Sequence, residues 1–454
     1  MSRARMLAYS AGSLAAALSY QAFGTYVQFL YIDVLKLATG WVGLAMVAYG
    51  IWNAFNDPLA GQLSDRTRTR WGRRIPYIAG GTLPLVLCFI LVWTPPFRVE
   101  RGQAVWLFVY FFLIIHLFDT LWTFVILNWT ALFPEMFPDL RKRAEVSGWR
   151  QFFSIPGLIV GIALPPVIYG SLGWPWMGII FGLITGLFLY VSLWGSREHR
   201  EFQQDEPLGF REALRATFSN RACRLFLLAN FCIQFVFVML TATVPFYAKY
   251  VLGLGDMETS AMLGAAFVTA LPFLFVWTKV SQRFGSRQAL LAALGVFAVA
   301  LLPFLIIGNF SGAIATTMGV GVGLAGLLML TDLLIADVVD QDELQTGVRR
   351  EGMYFGMNGF VIRFGVSVQS VILTQTLRLS GYMPGLPTQP GSVLLGLRLL
   401  LTAVPIAALA GAFVAIWAYP LYGDRLAEVK AQVAQLHQAK AAQTEPQDPS
   451  GEDQ

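Results

Sequence analysis

The sequence predicts an all-α integral membrane protein, with twelve transmembrane helices in two six-helix bundles around a central cavity. Three observations carry that reading. The chain has 454 residues, of which 56% are hydrophobic and 13% charged, against roughly 25% charged in a soluble domain; its mean hydropathy is +0.59. Apolar runs long enough to cross roughly 30 Å of hydrocarbon at 1.5 Å per residue recur twelve times. Lys and Arg concentrate in alternate loops, as they do in a chain that crosses a bilayer repeatedly.

The spans are expected near 8–35, 41–63, 75–95, 104–133, 151–172, 174–195, 223–250, 258–279, 288–308, 313–338, 353–377 and 393–422. Arg3 and Arg5 precede the first, which lacks a convincing small-residue cleavage site and therefore reads as a span rather than a signal peptide. Loops 64–74, 134–150, 196–222, 280–287 and 339–352 hold most of the basic residues and are assigned to the cytoplasm. An even number of spans then puts both termini there, in a multi-pass protein of the plasma or inner membrane.

The long loop 196–222 separates an N-terminal bundle, 1–195, from a C-terminal bundle, 223–422. A partly amphipathic helix near Phe210–Phe218 is expected to lie on the inner membrane surface. In the tail, 423–454, Leu426, Val429, Val433 and Leu436 have helical spacing, and the segment past Lys440 reads as disorder. The halves echo each other: LSDR and WGRR flank loop 2–3, VSQR and FGSR flank loop 8–9. Such parallel repeats place a site between the bundles.

Composition also excludes. Cys88, Cys223 and Cys232 lie in apolar runs without paired spacing, and His116, His199 and His437 are scattered, so neither a disulfide framework nor a metal constellation is expected. There is no nucleotide-binding loop and no nucleophile–base arrangement, which argues against an enzyme or a cofactor. The net charge of +5 reads as positive-inside loops rather than a nucleic-acid surface.

The most informative stretch is Asn56 to Arg74. It opens with Asp57 among Trp52, Phe55 and Leu59 and closes on Asp65, Arg66, Arg68, Arg70, Arg73 and Arg74. An ionisable group inside a span is costly enough that function is the default explanation, here transport. Asn53 and Asp57 are four apart and share a helix face, and Pro58 is expected to loosen the helix and free carbonyl oxygens.

Two long stretches, IWNAFNDPLAGQLSDRTRTRWGRRIP at 51–76 and IADVVDQDELQTGVRREGMYFG at 335–356, with LAYSAG at 7–12, Tyr31 to Val34 and WTALFPE at 129–135, resemble the major facilitator superfamily. More narrowly, they resemble its glycoside–pentoside–hexuronide:cation symporters. The likeness covers essentially all the spans. It implies alternating access and symport of a small solute, a sugar or glycoside, with a cation, H⁺ or Na⁺. The implied partners are that solute, the cation and membrane lipid, without nucleic acid, and the chain is expected to act as a monomer.

The resemblance also suggests roles. Asp57 and Asn53 stand where the family's melibiose carriers have two cation-binding aspartates, and Trp122 and Val125 stand at two further cation-site positions. The missing ligands favour a proton on Asp57 over sodium, because a proton needs no coordination shell. Arg363, where the family usually has a lysine, can only compensate charge, pairing with Asp57 when the site is empty and releasing it on protonation. The alternative is a permanent pair that holds the helices.

Arg150 and Trp129 align with residues that touch sugar, although a basic flank and an interfacial anchor are equally open. The family's galactoside-gripping aspartates are replaced by Ala17 and Val125, and a cavity tryptophan by Leu328, which argues against melibiose. Tyr20, Gln21 and Asn128 are the polar substitutes. His116 and Asp119 form either a proton relay or a solute anchor, or else Asp119 pairs with Arg98 or Arg101. Asp65, Arg66, Arg73 and Arg74, with Asp340, Glu343, Arg349, Arg350 and Glu351, are read as a cytoplasmic gate. The alternative cargo is a lysophospholipid or another amphipath, which the apolar replacements and the basic Arg363 would suit.

Overall fold

Sequence hydropathy translates into helices throughout the computed structural model, which describes residues 2–137, 140–198, 220–346 and 351–444. The spans run Arg3–Phe29, Thr39–Arg66, Ile75–Trp93, Ala104–Met136, Leu140–Ala163 continued by Pro165–Leu172, Trp174–Gly195, Arg221–Tyr250, Asp256–Phe284, Ser286–Leu301, Phe310–Thr346, Glu351–Leu379, and Gly391–Leu401 continued by Ala403–Trp417. Among the described residues nine are long and apolar enough to cross a membrane, and the fifth, bent by 43° between its two pieces, makes a tenth. The first and second complete the set. They are long, but their apolar character is diluted by the buried Ser10, Ser13 and Ser19 of the first and by Asn53 and Asn56 of the second.

Several helices overrun the expected spans on the face that carries both chain termini. The second reaches Arg66, the fourth Met136 and the tenth Thr346, and the fifth begins at Leu140. Hydropathy marks where hydrocarbon ends, whereas the backbone ladder continues as long as each residue adds its hydrogen bond. The second span is helical straight through positions 57 and 58, so Pro58 does not break it, although a proline without an N–H leaves the carbonyl four residues earlier without its helical donor.

Each bundle has its own packing. The first span lies against the fifth and sixth, the third against the fourth and sixth; in the other half the eighth and ninth lie against the tenth, and the seventh against the twelfth. The bundles meet where the first span touches the seventh, the second the eleventh, and the fifth the eighth.

The second–eleventh seam is tight because of glycine. A Cβ on Gly43 would lie 2.6 Å from Thr374 Oγ1, and one on Gly50 would lie 1.3 Å from Ser367 Oγ. Gly43, Gly50 and Asp57 are seven apart and so return to nearly the same helix face. Small residues let the backbones close up, and Asp57 follows them on the same stripe.

Away from the termini the bundles are latched. The first span ends in a π-helical turn, Leu30–Val34, which presents Asp33. Its carboxylate, fully buried, pairs with Lys249 Nζ at 2.5 Å, accepts from the Tyr382 hydroxyl at 2.5 Å and accepts from the Tyr250 hydroxyl. Phe29 packs edge-on to Phe246, with ring centroids 5.0 Å apart. Deeper in, Gln28 Nε2 donates to Gln369 Oε1 at 3.1 Å. In this conformation the far face is shut.

On the terminal face a last helix, Gly423–Thr444, packs on the tenth span. Val429 and Val433 are buried, and Lys430 Nζ lies 3.1 Å from Asp337 Oδ1. The helix extends past Lys440, where disorder was expected; residues 445–454 lie outside the described residues, as do most of the central loop and its Phe210–Phe218 segment.

Candidate coupling and solute site

Four side chains from three spans form one polar chain in the middle of the molecule. Arg363 Nη1, on the eleventh span, pairs with Asp57 Oδ1 on the second and donates to Asn53 Oδ1 at 2.7 Å. Asn53 Nδ2 in turn donates to Asp119 Oδ1, on the fourth span, at 2.7 Å. The orientation of the Asn53 amide follows from its partners: a guanidinium only donates and a carboxylate only accepts. The Arg363 and Asp57 side chains keep 19% and 31% of their surface exposed, so the pair is only partly enclosed by protein. Asp119 is only 2% exposed.

Asp119 is well held. Besides Asn53 it accepts from the Tyr49 hydroxyl at 3.1 Å and from Asn56 Nδ2 at 3.0 Å. Tyr49, Asn53 and Asn56 fall at i, i+4 and i+7, one face of the second span. Arg98 spends its guanidinium on the carbonyls of Pro95 and Phe97, and among the described residues the side-chain partners of Asp119 are these three of the second span. His116 bonds within its own span, with Nδ1 2.6 Å from the Phe112 carbonyl oxygen and its ring stacked on Phe112 at 4.3 Å, and it lies edge-on to Tyr49 at 6.3 Å. Tyr20, with its ring 5.1 Å from that of Trp122, lies close enough to Arg363, Asp119 and Asp57 to feel their charges.

The other expected solute residues lie apart from this chain. The Arg150 guanidinium caps the rings of Trp129 at 4.7 Å and Phe133 at 4.6 Å. Tyr9 stacks on Trp129 at 5.2 Å and donates its hydroxyl to the Trp129 carbonyl at 2.9 Å. Trp129 is therefore covered by Arg150 and Tyr9, and its ring offers no free platform for a sugar in this state. Gln21 packs against Gly161 of the fifth span. Asn128 donates back to the Phe124 carbonyl at 2.8 Å.

On the terminal face, Arg73 Nη2 and Arg74 Nη2 converge on Glu135 Oε1 at 2.6 and 2.9 Å. Glu198 accepts the backbone N–H groups of Arg73 and Arg74 at 2.9 and 3.0 Å. These bonds tie loop 2–3 to the ends of the fourth and sixth spans. Arg66 is exposed, Asp340 half-buried and Glu343 buried. Arg349 and Arg350 lie outside the described residues, and so do the side chains of Asp65 and Glu351.

Sequence reasoning missed Asn56, Tyr49, Glu135 and Glu198. The period of Tyr49, Asn53 and Asn56 was a usable signal for the first two, and Glu135 was visible at a span end. Glu198 sits in the linker, where no pattern singles it out.

Two helical bundles, sealed at one face and carrying charge pairs across their seam, define a membrane transporter rather than an enzyme. A family profile described as MFS/sugar transport protein matches residues 8–423, and the chain belongs to that family, in keeping with the glycoside–pentoside–hexuronide resemblance. A putative glycoside/cation symporter of Escherichia coli K12 is 26% identical, over 97% of this chain and 96% of the relative. The sodium-dependent lysophosphatidylcholine symporter 1-A of Danio rerio is 25% identical, over 89% of this chain and 83% of the relative. Among solved structures, a bacterial homologue of the human lysosomal transporter Spinster, inward-facing and unoccupied, superposes with a TM-score of 0.66 at 15% identity, covering 92% of this chain and 98% of that one.

Proposed function

We propose that the protein is a secondary active transporter that couples uptake of a small polar solute, a sugar or glycoside, to a monovalent cation, with a proton favoured over sodium. The observation that carries this reading is the Asp57–Arg363 pair across the seam between the bundles. Loading a proton on Asp57 removes one partner of that pair and needs no cage of oxygens. The pair then joins the bundles in one protonation state and not the other, which is what biases a two-state rocking equilibrium. The glycoside/cation relative supports the class of solute.

The remaining roles follow from position. Tyr20, beside the coupling chain, meets the solute, and Arg150 and Trp129 do so once the bundles rearrange. The terminal face is cytoplasmic; there Arg73, Arg74 and Glu135, bonded to one another within the first bundle, supply one half of a gate whose other half is Asp340 and Glu343 of the second bundle. An amphipathic cargo is the second reading. It is favoured by the apolar Leu328, 38% exposed, and by the zebrafish relative; Val125 is fully buried.

The test is uptake by proteoliposomes over a panel of glycosides and lysolipids, with pH and sodium gradients varied independently. The expected result is glycoside accumulation driven by a pH gradient and abolished in Arg363→Ala, with the variant still inserted in the membrane. Accumulation of lysolipid alone would install the second reading. Wild-type turnover in Arg363→Ala would remove the switch.

A further inference from the structure

The symport reading uses Asp57 and Arg363 and leaves Asp119 without a part. We infer that Asp119 is the second carboxylate of the cation site, that Asn53 links it to Arg363, and that the empty site carries one negative charge in excess and loads one monovalent cation. The inference rests on the symport reading.

The argument is a charge count on a continuous hydrogen-bonded chain. Asp119 reaches Asn53 at 2.7 Å, and Asn53 reaches Arg363 at 2.7 Å; Arg363 also holds Asp57. Two carboxylates thus share one guanidinium. Among the described residues, the groups that face Asp119 do not redress the balance. Tyr49 of the second span is a hydroxyl donor, Tyr20 of the first span is neutral in its ordinary form, and Cys88 of the third span is turned to the Ile114 carbonyl. His116, on the same span, is occupied by the Phe112 carbonyl. An uncompensated charge inside hydrocarbon is strongly disfavoured, so one cation brings the cluster to neutrality.

The same geometry explains why position 53 is an amide. A carboxylate there would stand 2.7 Å from that of Asp119, a like-charge contact. An amide instead accepts from Arg363 with one end and donates to Asp119 with the other. Exchanging the two groups, with aspartate at 53 and asparagine at 119, conserves both the charge count and the donor–acceptor contact. A solute anchor, by contrast, would depend on the carboxylate remaining at 119.

The experiment compares Asp119→Asn, Asn53→Asp and the double variant Asn53→Asp/Asp119→Asn in proteoliposomes. It reads the cation concentration for half-maximal solute uptake, in separate H⁺ and Na⁺ series, alongside solute exchange without a gradient. Asp119→Asn should lose cation dependence, with gradient-driven accumulation down at least about tenfold, while exchange persists. Asn53→Asp, with an added negative charge, should shift half-saturation to lower cation concentration. The double variant should return to within about threefold of the wild type.

If Asp119→Asn does not fold, the shift in Asn53→Asp and its reversal in the double variant decide the matter. Wild-type cation dependence in Asp119→Asn, or a double variant no closer to wild type than either single one, overturns the inference. Wild-type vesicles without any cation-driven uptake would instead fail the symport reading itself.

Discussion

Removing the charge of Asp33 should unlatch the far face. Its carboxylate, on the first span, holds Lys249 and Tyr250 of the seventh and Tyr382 beyond the eleventh, so every one of these bonds crosses between bundles. Asp33→Asn keeps the shape and loses the charge. Hydrogen bonds to a charged group contribute about 1.5–3 kcal/mol each, and an asparagine oxygen retains part of two of them. The Lys249 contribution must be discounted, because that side chain is 47% exposed.

A net loss of about 3 kcal/mol from the closed state alone corresponds to roughly a hundredfold shift of the equilibrium toward the state open at that face. A cysteine at Thr25, buried on the first span beneath the latch, reports it, in a background lacking Cys88, Cys223 and Cys232. Its labelling by an impermeant maleimide added from the Asp33 side should accelerate by one to two orders of magnitude. A rate within about twofold of the parent would refute the reasoning, since it would mean that the cluster is not what holds the bundles together.

Two further outcomes are expected. Gly50→Ala should force the second and eleventh spans apart, because a Cβ there meets both Ser367 Oγ and, at 2.7 Å, Ser367 Cβ; far-face labelling should rise, and adding Ser367→Gly should restore the parent rate. His116→Ala should leave the pH dependence of uptake within about 0.3 units of wild type, since that ring bonds the Phe112 carbonyl rather than Asp119, and a larger displacement would return His116 to the proton path.

Much of the architecture was legible because twelve apolar runs and alternating basic loops are direct consequences of the bilayer. The Asp57–Arg363 pair was legible for the same reason: an Asp and an Arg within spans have few places to go except toward each other. What remained hidden was three-dimensional partnership. Asp119 could be seen as an oddity in FFLIIHLFDTLW, but nothing in its own neighbourhood announces that Tyr49, Asn53 and Asn56 of another helix aim at it. The sequence neighbour His116 was the tempting partner, and it bonds the Phe112 carbonyl instead. Trp129 likewise aligned with a sugar-contacting ring, with an interfacial anchor equally open, yet Tyr9 and Arg150, 120 residues upstream and 21 downstream in the chain, cover it. Asp33 read as part of a span end, and only the π-helical turn and the convergence of Lys249, Tyr250 and Tyr382 reveal a latch.

The decisive measurement is solute accumulation against solute exchange in the same Asp57→Asn vesicles. With the Asp57 carboxylate gone, concentrative uptake under a cation gradient should collapse to equilibration while exchange of internal for external solute continues. Full gradient-driven accumulation by Asp57→Asn would contradict the proposal that loading this side chain, and so releasing Arg363, is what couples ion to solute.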